Sequence, residues 1–276
     1  MNRKTAFTIC LLSAGLTLSH SAKAQLQPLD DAQMAQTVGQ AFIEMDSRMD
    51  GTTQFSRITF GQSVKLQANI DSLTLGGNYD NALGLGVGTD FNASNLSFGY
   101  IDTATGDIVP FEFTNPYFEW AVNDTTNDML GFRIGFEDAQ GVLQGNFASF
   151  SGNIGLTING NPSSLFTAAG GTITDNRATY IGESSGSCTD GTDCISLGNI
   201  QSISVADSDG SSTADFFLSF QTSALDWGQG PVTNKGFFMN IPSDTNVDIT
   251  DANSGTGRLA TEFIDRGVGR WNVAAP

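Results

Sequence analysis

The chain has 276 residues, with 29 acidic and 12 basic side chains and a formal net charge of −17. A field of this sign repels phosphate backbones and anionic lipid surfaces, which argues against nucleic acid as a partner and against electrostatic docking on membranes. Thirty-two glycines, twenty phenylalanines and a charged fraction of only 15% favour strands joined by tight turns over long amphipathic helices.

The first 24 residues have the three parts of a secretory signal peptide. Arg3 and Lys4 come first, an apolar run follows from Ala6 to Leu18, and Ala22-Lys23-Ala24 forms a small-x-small cleavage site. The apolar run is too short to span a bilayer. We therefore expect export through the inner membrane to the periplasm, the outer cell surface or the medium, with no integral membrane span after cleavage.

Cleavage at this site changes the chemistry that the remaining chain can perform. It removes three basic residues and no acidic one, which takes the formal net charge from −17 to −20. It also removes His20, the only histidine, so the exported chain lacks the imidazole of a Ser-His-Asp relay, of a histidine zinc site and of a histidine haem ligand. We expect no catalytic residue, no cofactor-binding residue and no enzymatic activity.

A short helix is predicted directly after the cleavage site, within an N-terminal segment at 25–50. Asp30 or Asp31 can cap the helix and Gly39 can end it in a left-handed turn. Residues 51–276 are predicted to form a single β-rich domain. The helix would either cover one end of that domain or be recognised by an assembly or export partner.

Alternating apolar residues predict strands along the first half of this domain. The longest run extends from Ile58 to Ile70, with a bend or break expected at Gly61. Leu130, Phe132, Ile134 and Phe136 alternate with smaller or charged residues and are predicted to face an aromatic core. The sequence therefore predicts an all-β fold, an antiparallel β-sandwich or jelly-roll, with a β-solenoid as the alternative.

The stretch 161–215 is rich in Ser, Thr, Gly and Asp, and we predict a long surface insertion there, with one strand around Ile200 to Val205. It contains Cys188 and Cys194, separated by five residues. An even pair this close in an exported protein predicts a structural disulfide, since redox pairs more typically have two intervening residues.

Acidic side chains offer the only candidate ligand sites. Asp207, Asp209 and Asp215 supply the hard oxygen ligands that calcium takes, although no glutamate closes a twelve-residue calcium loop. These three residues are a weak calcium site, and no other cofactor is expected. A carboxylate pair for glycoside hydrolysis could come from Glu112, Glu119 and Glu137, but these side chains are predicted to be the outward positions of strands.

The segment after the leader reads Leu26-x-x-Leu29-Asp-Asp-x-x-Met34-x-x-x-x-Gly39-Gln40, and further distinctive segments are Arg57–Leu73, Pro110–Glu119 and Arg133–Gly141. Together these segments resemble the FilA-like pilus-system proteins of Gram-negative bacteria. The resemblance covers much of the first 160 residues and little from Asn161 onward. The resemblance implies a surface or pilus-associated role with other pilus or surface-assembly proteins as partners, and it carries over no catalytic residue.

The sequence thus predicts an exported, non-enzymatic surface protein, a pilus-system component or an adhesion and biofilm factor. The alternative is a secreted carbohydrate-binding module or carbohydrate-active enzyme, with or without calcium.

Overall fold

The computed structural model describes residues 43–77, 84, 87–102, 104–249 and 259–260, and for residues 201, 259 and 260 the backbone alone. The predicted leader and the predicted helix at 30–39 lie outside the described residues. None of the described residues belongs to a helix that is long and apolar enough to cross a membrane.

The described chain is all-β, with a single short 3-10 turn at Leu197–Asn199 and one further helical residue at Ile249. The strands are β1 (Ile43–Asp50), β2 (Thr53–Phe60), β3 (Ser63–Leu66), β4 (Ala68–Leu75), β5 (Phe91–Phe98), β6 (Tyr100–Ile101), β7 (Ile108–Val109), β8 (Phe111–Asn123), β9 (Met129–Ser149), β10 (Gly152–Ile154), β11 (Thr157–Ile158), β12 (Asn161–Phe166), β13 (Tyr180–Glu183), β14 (Cys194–Ser196), β15 (Ile200–Val205), β16 (Thr213–Gln221), β17 (Gly236–Ile241), β18 (Asn246–Val247) and β19 (Leu259–Ala260).

Most of these strands join one twelve-stranded sheet, whose main path runs β1-β2-β8-β9-β16-β17-β10. β3 pairs with β8, and β4 pairs with β5. β11 to β14 and β18 form a second, five-stranded sheet in the order β14-β13-β12-β11-β18, and β6 and β7 form a small hairpin. Parallel pairing is confined to β10–β17, β11–β18 and β15–β19, so the described chain is not the β-solenoid considered as the alternative.

The 21-residue strand β9 builds the two layers. Its first part pairs with β8 and β16, and its second part, from Gly141 onward, pairs with β5 and β15. At Gly141 φ is +147°, and a Cβ there would lie 2.9 Å from the Phe111 Cα. Glycine is therefore required where β9 passes from one part of the sheet to the other.

A phenylalanine-rich core fills the space between the layers, as the sequence predicts for a sandwich-like fold. Phe91, Phe111, Phe147, Phe150 and Phe237 are all at least 98% buried. Ring pairs such as Phe91–Phe147 and Phe98–Phe111 meet edge to face, with centroids 6.0 and 5.6 Å apart. This is the favourable arrangement for aromatic quadrupoles.

The structure differs from the sequence-based expectation in the insertion at 161–215 and in the start of the β-rich domain, and it agrees on the break at Gly61. Residues 161–215 are no loose insertion, because β12 to β15 lie there and bury Leu165, Ile181 and Ile195. Short strands with single apolar residues among Ser and Thr do not produce a long alternating pattern. The β-rich domain also begins before residue 51, since β1 pairs along its whole length with β2. The break expected at Gly61 separates β2 from β3.

Candidate functional site: a buried charge row behind an open edge strand

A row of alternating charges crosses four neighbouring strands, β1, β2, β8 and β9, at one end of the large sheet. Asp46 of β1 lies opposite Arg57 of β2, which lies opposite Glu119 of β8. Glu119 in turn lies opposite Arg133 of β9, and Ser219 of β16 follows. Because directly opposed residues in a sheet point to the same face, these side chains share one surface. The row therefore brings opposite charges together at every step from β1 to β9.

One carboxylate oxygen of Glu119 holds both arginines. Glu119 Oε2 accepts from Arg57 Nη2 at 2.9 Å and from Arg57 Nε at 3.2 Å. The same oxygen accepts from Arg133 Nε at 3.0 Å and from Arg133 Nη2. The exposed fractions are 15% for Arg57, 3% for Glu119 and 0% for Arg133. This is a buried Arg–Glu–Arg triad, a type of cluster that is costly to disrupt.

Aromatic rings enclose the guanidinium of Arg133. Its Cζ lies 5.1 Å from the ring centroid of Tyr117, 4.9 Å from that of Phe217 and 5.1 Å from that of Trp227. The Arg57 Cζ lies 4.2 Å from the Tyr117 centroid on the same face. Cation–π attraction partly replaces the hydration that these two cations lose on burial.

The loop at 222–235 covers Glu119 and Arg133 of the charge row, whereas Asp46 stays exposed. Leu225 and Thr233 pair through two backbone hydrogen bonds, and Trp227 Nε1 donates to Thr233 Oγ1 at 3.0 Å. Gln229 Oε1 accepts from Arg57 Nη2 at 2.9 Å, and its backbone carbonyl accepts from Arg133 Nη1 at 3.4 Å. With Phe55 and Ala121, Leu225 and Trp227 form a second, smaller hydrophobic core on this face.

Two glycines of β9 make room for these groups. A Cβ at Gly131 would lie 2.6 Å from Leu225 Cδ1, and one at Gly135 would lie 2.4 Å from the Tyr117 hydroxyl. The Tyr117 hydroxyl is fully buried and has no hydrogen-bond partner among the described residues. Burial raises the pKa of Tyr117 to about 12, although the charges of Arg133 and Arg57 act in the opposite direction.

Asp215, a residue of the predicted calcium site, lies next to this cluster instead. The pairing of β8, β9 and β16 skips one row, which contains Asn115, Glu137 and Asp215. Asn115 and Asp215 have left-handed φ angles of 50° and 65°. Burial raises the pKa of the Asp215 carboxyl, against the lowering effect of Arg133 and Arg57.

The other two residues of that predicted site lie in a tight turn. Asp207 accepts at its backbone carbonyl from Gly210, and Asp209 Oδ1 accepts from the backbone and hydroxyl of Ser211. Within the described ranges, no three acidic, cysteine or histidine side chains gather as metal ligands, and Asp207, Asp209 and Asp215 are no exception. Calcium binding by these residues stays a prediction, and the described residues form no cluster of ligands that would support it.

The predicted disulfide is present between Cys188 and Cys194. Both half-cystines are fully buried and pack with Phe166, and Tyr180 lies against them. The carboxylate of Asp193 accepts from the backbone N–H groups of Ser187 and Thr189 within the same loop. The bridge therefore belongs to a locally ordered lobe of the five-stranded sheet.

A cavity of about 240 Å³ lies between β1 and the loop at 222–235. Its lining combines carboxylates, guanidinium groups, an amide and ring edges from Asp46, Ser47, Arg48, Phe55, Arg57, Glu119, Trp227, Gly228 and Gln229. Arg48 closes one side, because its Cζ lies 3.8 Å from the Phe55 ring centroid and its Nη2 donates to the Asp226 carbonyl at 3.0 Å.

The opposite face of the same strands is apolar and partly exposed, and Leu218 at its end also packs against the main core. Met45, Ile58, Phe118, Ile134 and Leu218 follow one another in register across β1, β2, β8, β9 and β16. Met45 is 74% exposed, Phe118 40% and Ile134 37%. We call this face, with Met129 and Phe220 beside the row, the apolar strip. Contiguous exposed apolar side chains of this size mark interaction surfaces in soluble proteins.

The alternation of β9 is therefore correct, but its predicted direction is wrong near Ile134. The large apolar residues Phe132 and Ile134 face outward, and Gly131, Arg133 and Gly135 face inward. Of the glutamates expected to point outward, Glu112 does so, paired with exposed Lys65, whereas Glu119 is buried. Glu119 is polar, so its sequence position predicts exposure. It is buried because the loop at 222–235, about a hundred residues later in the chain, covers it.

The comparisons with known proteins match the first part of the chain to a family model. Residues 3–108 match a family described as a family of unknown function, DUF6160. The match takes in β1, Arg57 and the predicted leader, and it ends before β8, so Glu119, Arg133 and the loop at 222–235 lie outside it. No curated protein and no solved structure matches the chain.

Proposed function

We propose that the chain is an exported protein of the bacterial cell surface that works by binding and assembly, as a pilus-system component or an adhesion factor, without catalysis. The observation that carries this proposal is the edge strand β1, which no other described strand pairs on its outer side and which the apolar strip borders. An open edge exposes backbone donors and acceptors that a further strand can satisfy. A protein that presents both features is suited to joining other proteins.

The compartment expected from the leader supports the same role. A disulfide between Cys188 and Cys194 is at home in the periplasm or outside the cell, where thiols are oxidised. The buried Arg–Glu–Arg triad supports a structural reading, because its one carboxylate holds two arginines beneath a sealing loop.

The test is complementation of a deletion strain, with attachment and biofilm formation as the readouts. Loss of the chain should reduce attachment, and the wild-type chain should restore it. Met45→Lys should fail to restore it, because the charge lies on the apolar strip at the open edge. Ile108→Lys is the matched control, since Ile108 is 60% exposed on the separate β6–β7 hairpin. Unchanged attachment in the deletion strain would overturn the proposal.

Glycan binding is the second candidate, and the polar cavity favours it. Asp46, Arg57, Glu119 and Gln229 line the cavity with the acceptors and paired donors that sugar hydroxyls use. A glycan array probed with and without calcium tests this candidate. Binding that is lost in Asp46→Ala would establish it, and an array without binding would remove it.

A further inference from the structure

We propose that the open edge of β1 pairs with β1 of a second copy of this chain, antiparallel, about a two-fold axis at Ser47. The inference rests on the proposed function, because it names the partner that the edge strand takes. β1 ends the path of the large sheet, and its side chains are exposed apart from that of Arg48.

The β1–β2 hairpin decides which backbone groups face the open edge. A two-residue turn closes it, with Gly51 at φ +57°, as expected for the first central residue of a type II′ turn. Asp50 and Thr53 flank the turn and lie opposite each other, so they exchange both hydrogen bonds. Every second residue from Asp50 thus bonds to β2, and the residues between them direct N–H and C=O groups outward. Those outward residues are Ile43, Met45, Ser47 and Met49.

An axis at Ser47 makes the strand complementary to itself on both faces. On the charged face it places each Asp46 opposite the Arg48 of the other copy, twice by symmetry. On the apolar face it places each Met45 opposite the other copy's Met49, also twice. Opposed residues of opposite charge and opposed apolar residues both stabilise a sheet.

Neighbouring registers are less favourable. An axis at Asp46 sets two carboxylates directly opposite each other, and an axis at Arg48 does the same with two guanidinium groups. A shift by one residue would place the charged side chains of one copy against the apolar side chains of the other. The axis at Ser47 confines like charges to Glu44 and Asp50 at the two ends of the new ladder.

Charged residues on an edge strand usually prevent edge-to-edge association. In β1 the order of signs is what matters, because Glu44, Asp46 and Asp50 are negative and Arg48 is the single positive residue. Arg48 occupies the position that meets Asp46 in a two-fold pairing. The charges therefore favour the axis at Ser47 over axes at Asp46 and Arg48, in the way that charge patterns give interfaces their specificity.

The first test uses single cysteine variants of the exported chain under mild oxidation. Directly opposed, hydrogen-bonded residues have Cα atoms about 5.5 Å apart, within the range that a disulfide spans. Ser47→Cys should therefore yield a covalent dimer. Met49→Cys, equally exposed but opposite Met45, is the matched control and should stay monomeric on a denaturing gel. The native cysteines do not interfere, because Cys10 leaves with the predicted leader and Cys188 and Cys194 are bonded to each other.

The second test swaps the charges and measures the dimer dissociation constant by sedimentation. Asp46→Arg should weaken association about tenfold, because two Arg–Arg contacts replace two ion pairs. Adding Arg48→Asp in the same chain should restore the wild-type constant, since the swapped pair is again complementary. Thermal unfolding of each variant separates a lost interface from a lost fold.

Cross-linking at Ser47 and rescue by the charge swap would support the pairing. A cross-link formed at Asp46→Cys instead, or a wild-type chain that stays monomeric at high concentration, would overturn it. Neither of these outcomes removes the surface role, which is judged separately by attachment in the deletion strain.

Discussion

At the residue scale, Glu119 has the largest consequences for stability. Its carboxylate is the only acidic group bonded to the buried guanidinium groups of Arg57 and Arg133 among the described residues. Removing one member of a buried ion cluster leaves the others desolvated without compensation. Exposed ion pairs behave differently, because water screens them and their side chains lose entropy on pairing.

Glu119→Gln should lower the free energy of unfolding by about 3 kcal/mol, since it leaves two buried cations beside a neutral amide. Urea unfolding measures this. Glu112→Gln is the matched control, because the Lys65–Glu112 pair is exposed at both ends, and the loss there should stay below about 0.5 kcal/mol. Equal losses in the two variants would contradict the description of the triad.

Tyr117→Phe should raise the free energy of unfolding by about 1 kcal/mol, because it removes a buried hydroxyl without a partner among the described residues. Burial raises the pKa of Tyr117 to about 12, so the folded state holds this proton more tightly than the unfolded state. The stabilisation that comes from this tighter proton binding is fully present below the ordinary tyrosine pKa of about 10. It is lost as the pH rises toward 12. The advantage of the phenylalanine variant should therefore grow in alkaline melts. A Tyr117→Phe variant less stable than the wild type would contradict this prediction, because it would show that the hydroxyl makes a stabilising hydrogen bond.

Asp215→Asn should raise the melting temperature at pH 7. Burial raises the pKa of Asp215, so the folded state favours the protonated carboxyl, and its contribution is lost as the pH rises through the folded pKa. The difference from wild type should vanish below the ordinary aspartate pKa of about 4. In Asp209 the hydrogen bonds from Ser211 lower the pKa, so Asp209→Asn should shift the melting temperature the other way. Melting-temperature shifts of the same sign in the two variants would contradict the opposite pKa directions of Asp215 and Asp209.

At the scale of elements, the sequence predicts where strands lie better than which way they face. Alternation correctly locates β9, but hydrophobicity assigns Ile134 to the core and Arg133 to solvent, and the structure reverses both. The cause is non-local, because Trp227 and Gln229 reach across to cover the arginine. The glycines at 131 and 135 are the one local signal, since they alternate on the face that must admit large groups.

Strand β1 is not predicted from the sequence, for a different reason. Its residues, Ile-Glu-Met-Asp-Ser-Arg-Met-Asp, include one β-branched residue and no aromatic one, so intrinsic propensity does not favour a strand. Pairing with β2 through a tight turn makes it one. The disulfide was easier to predict, because the spacing of two cysteines is itself a geometric constraint.

The lobe around Cys188 and Cys194 should lose stability when the bridge is removed. The loop is short, so the chain-entropy contribution is about 2 kcal/mol. Cys188→Ala with Cys194→Ala should lower the free energy of unfolding by that amount without altering the far-UV circular dichroism. Non-reducing mass spectrometry of the wild-type chain should show the two cysteines linked. An unchanged free energy of unfolding in the double variant would show that the bridge is dispensable.

At the scale of the whole molecule, the distribution of polarity is unusual in one region. The sheet buries charge under the loop at 222–235 and exposes the apolar strip on the other side, beside an open edge. Elsewhere the same sheet packs a conventional aromatic core. A protein with this asymmetry is suited to association, and the predicted export places that association at the cell envelope.

The most direct test of this account is whether intact cells display the chain. Thr125→Cys places a thiol in the exposed turn between β8 and β9. A membrane-impermeant maleimide should label it on intact cells to the same extent as after the outer membrane is permeabilised. Labelling that appears only after permeabilisation would confine the chain to the periplasm and contradict a role in surface assembly.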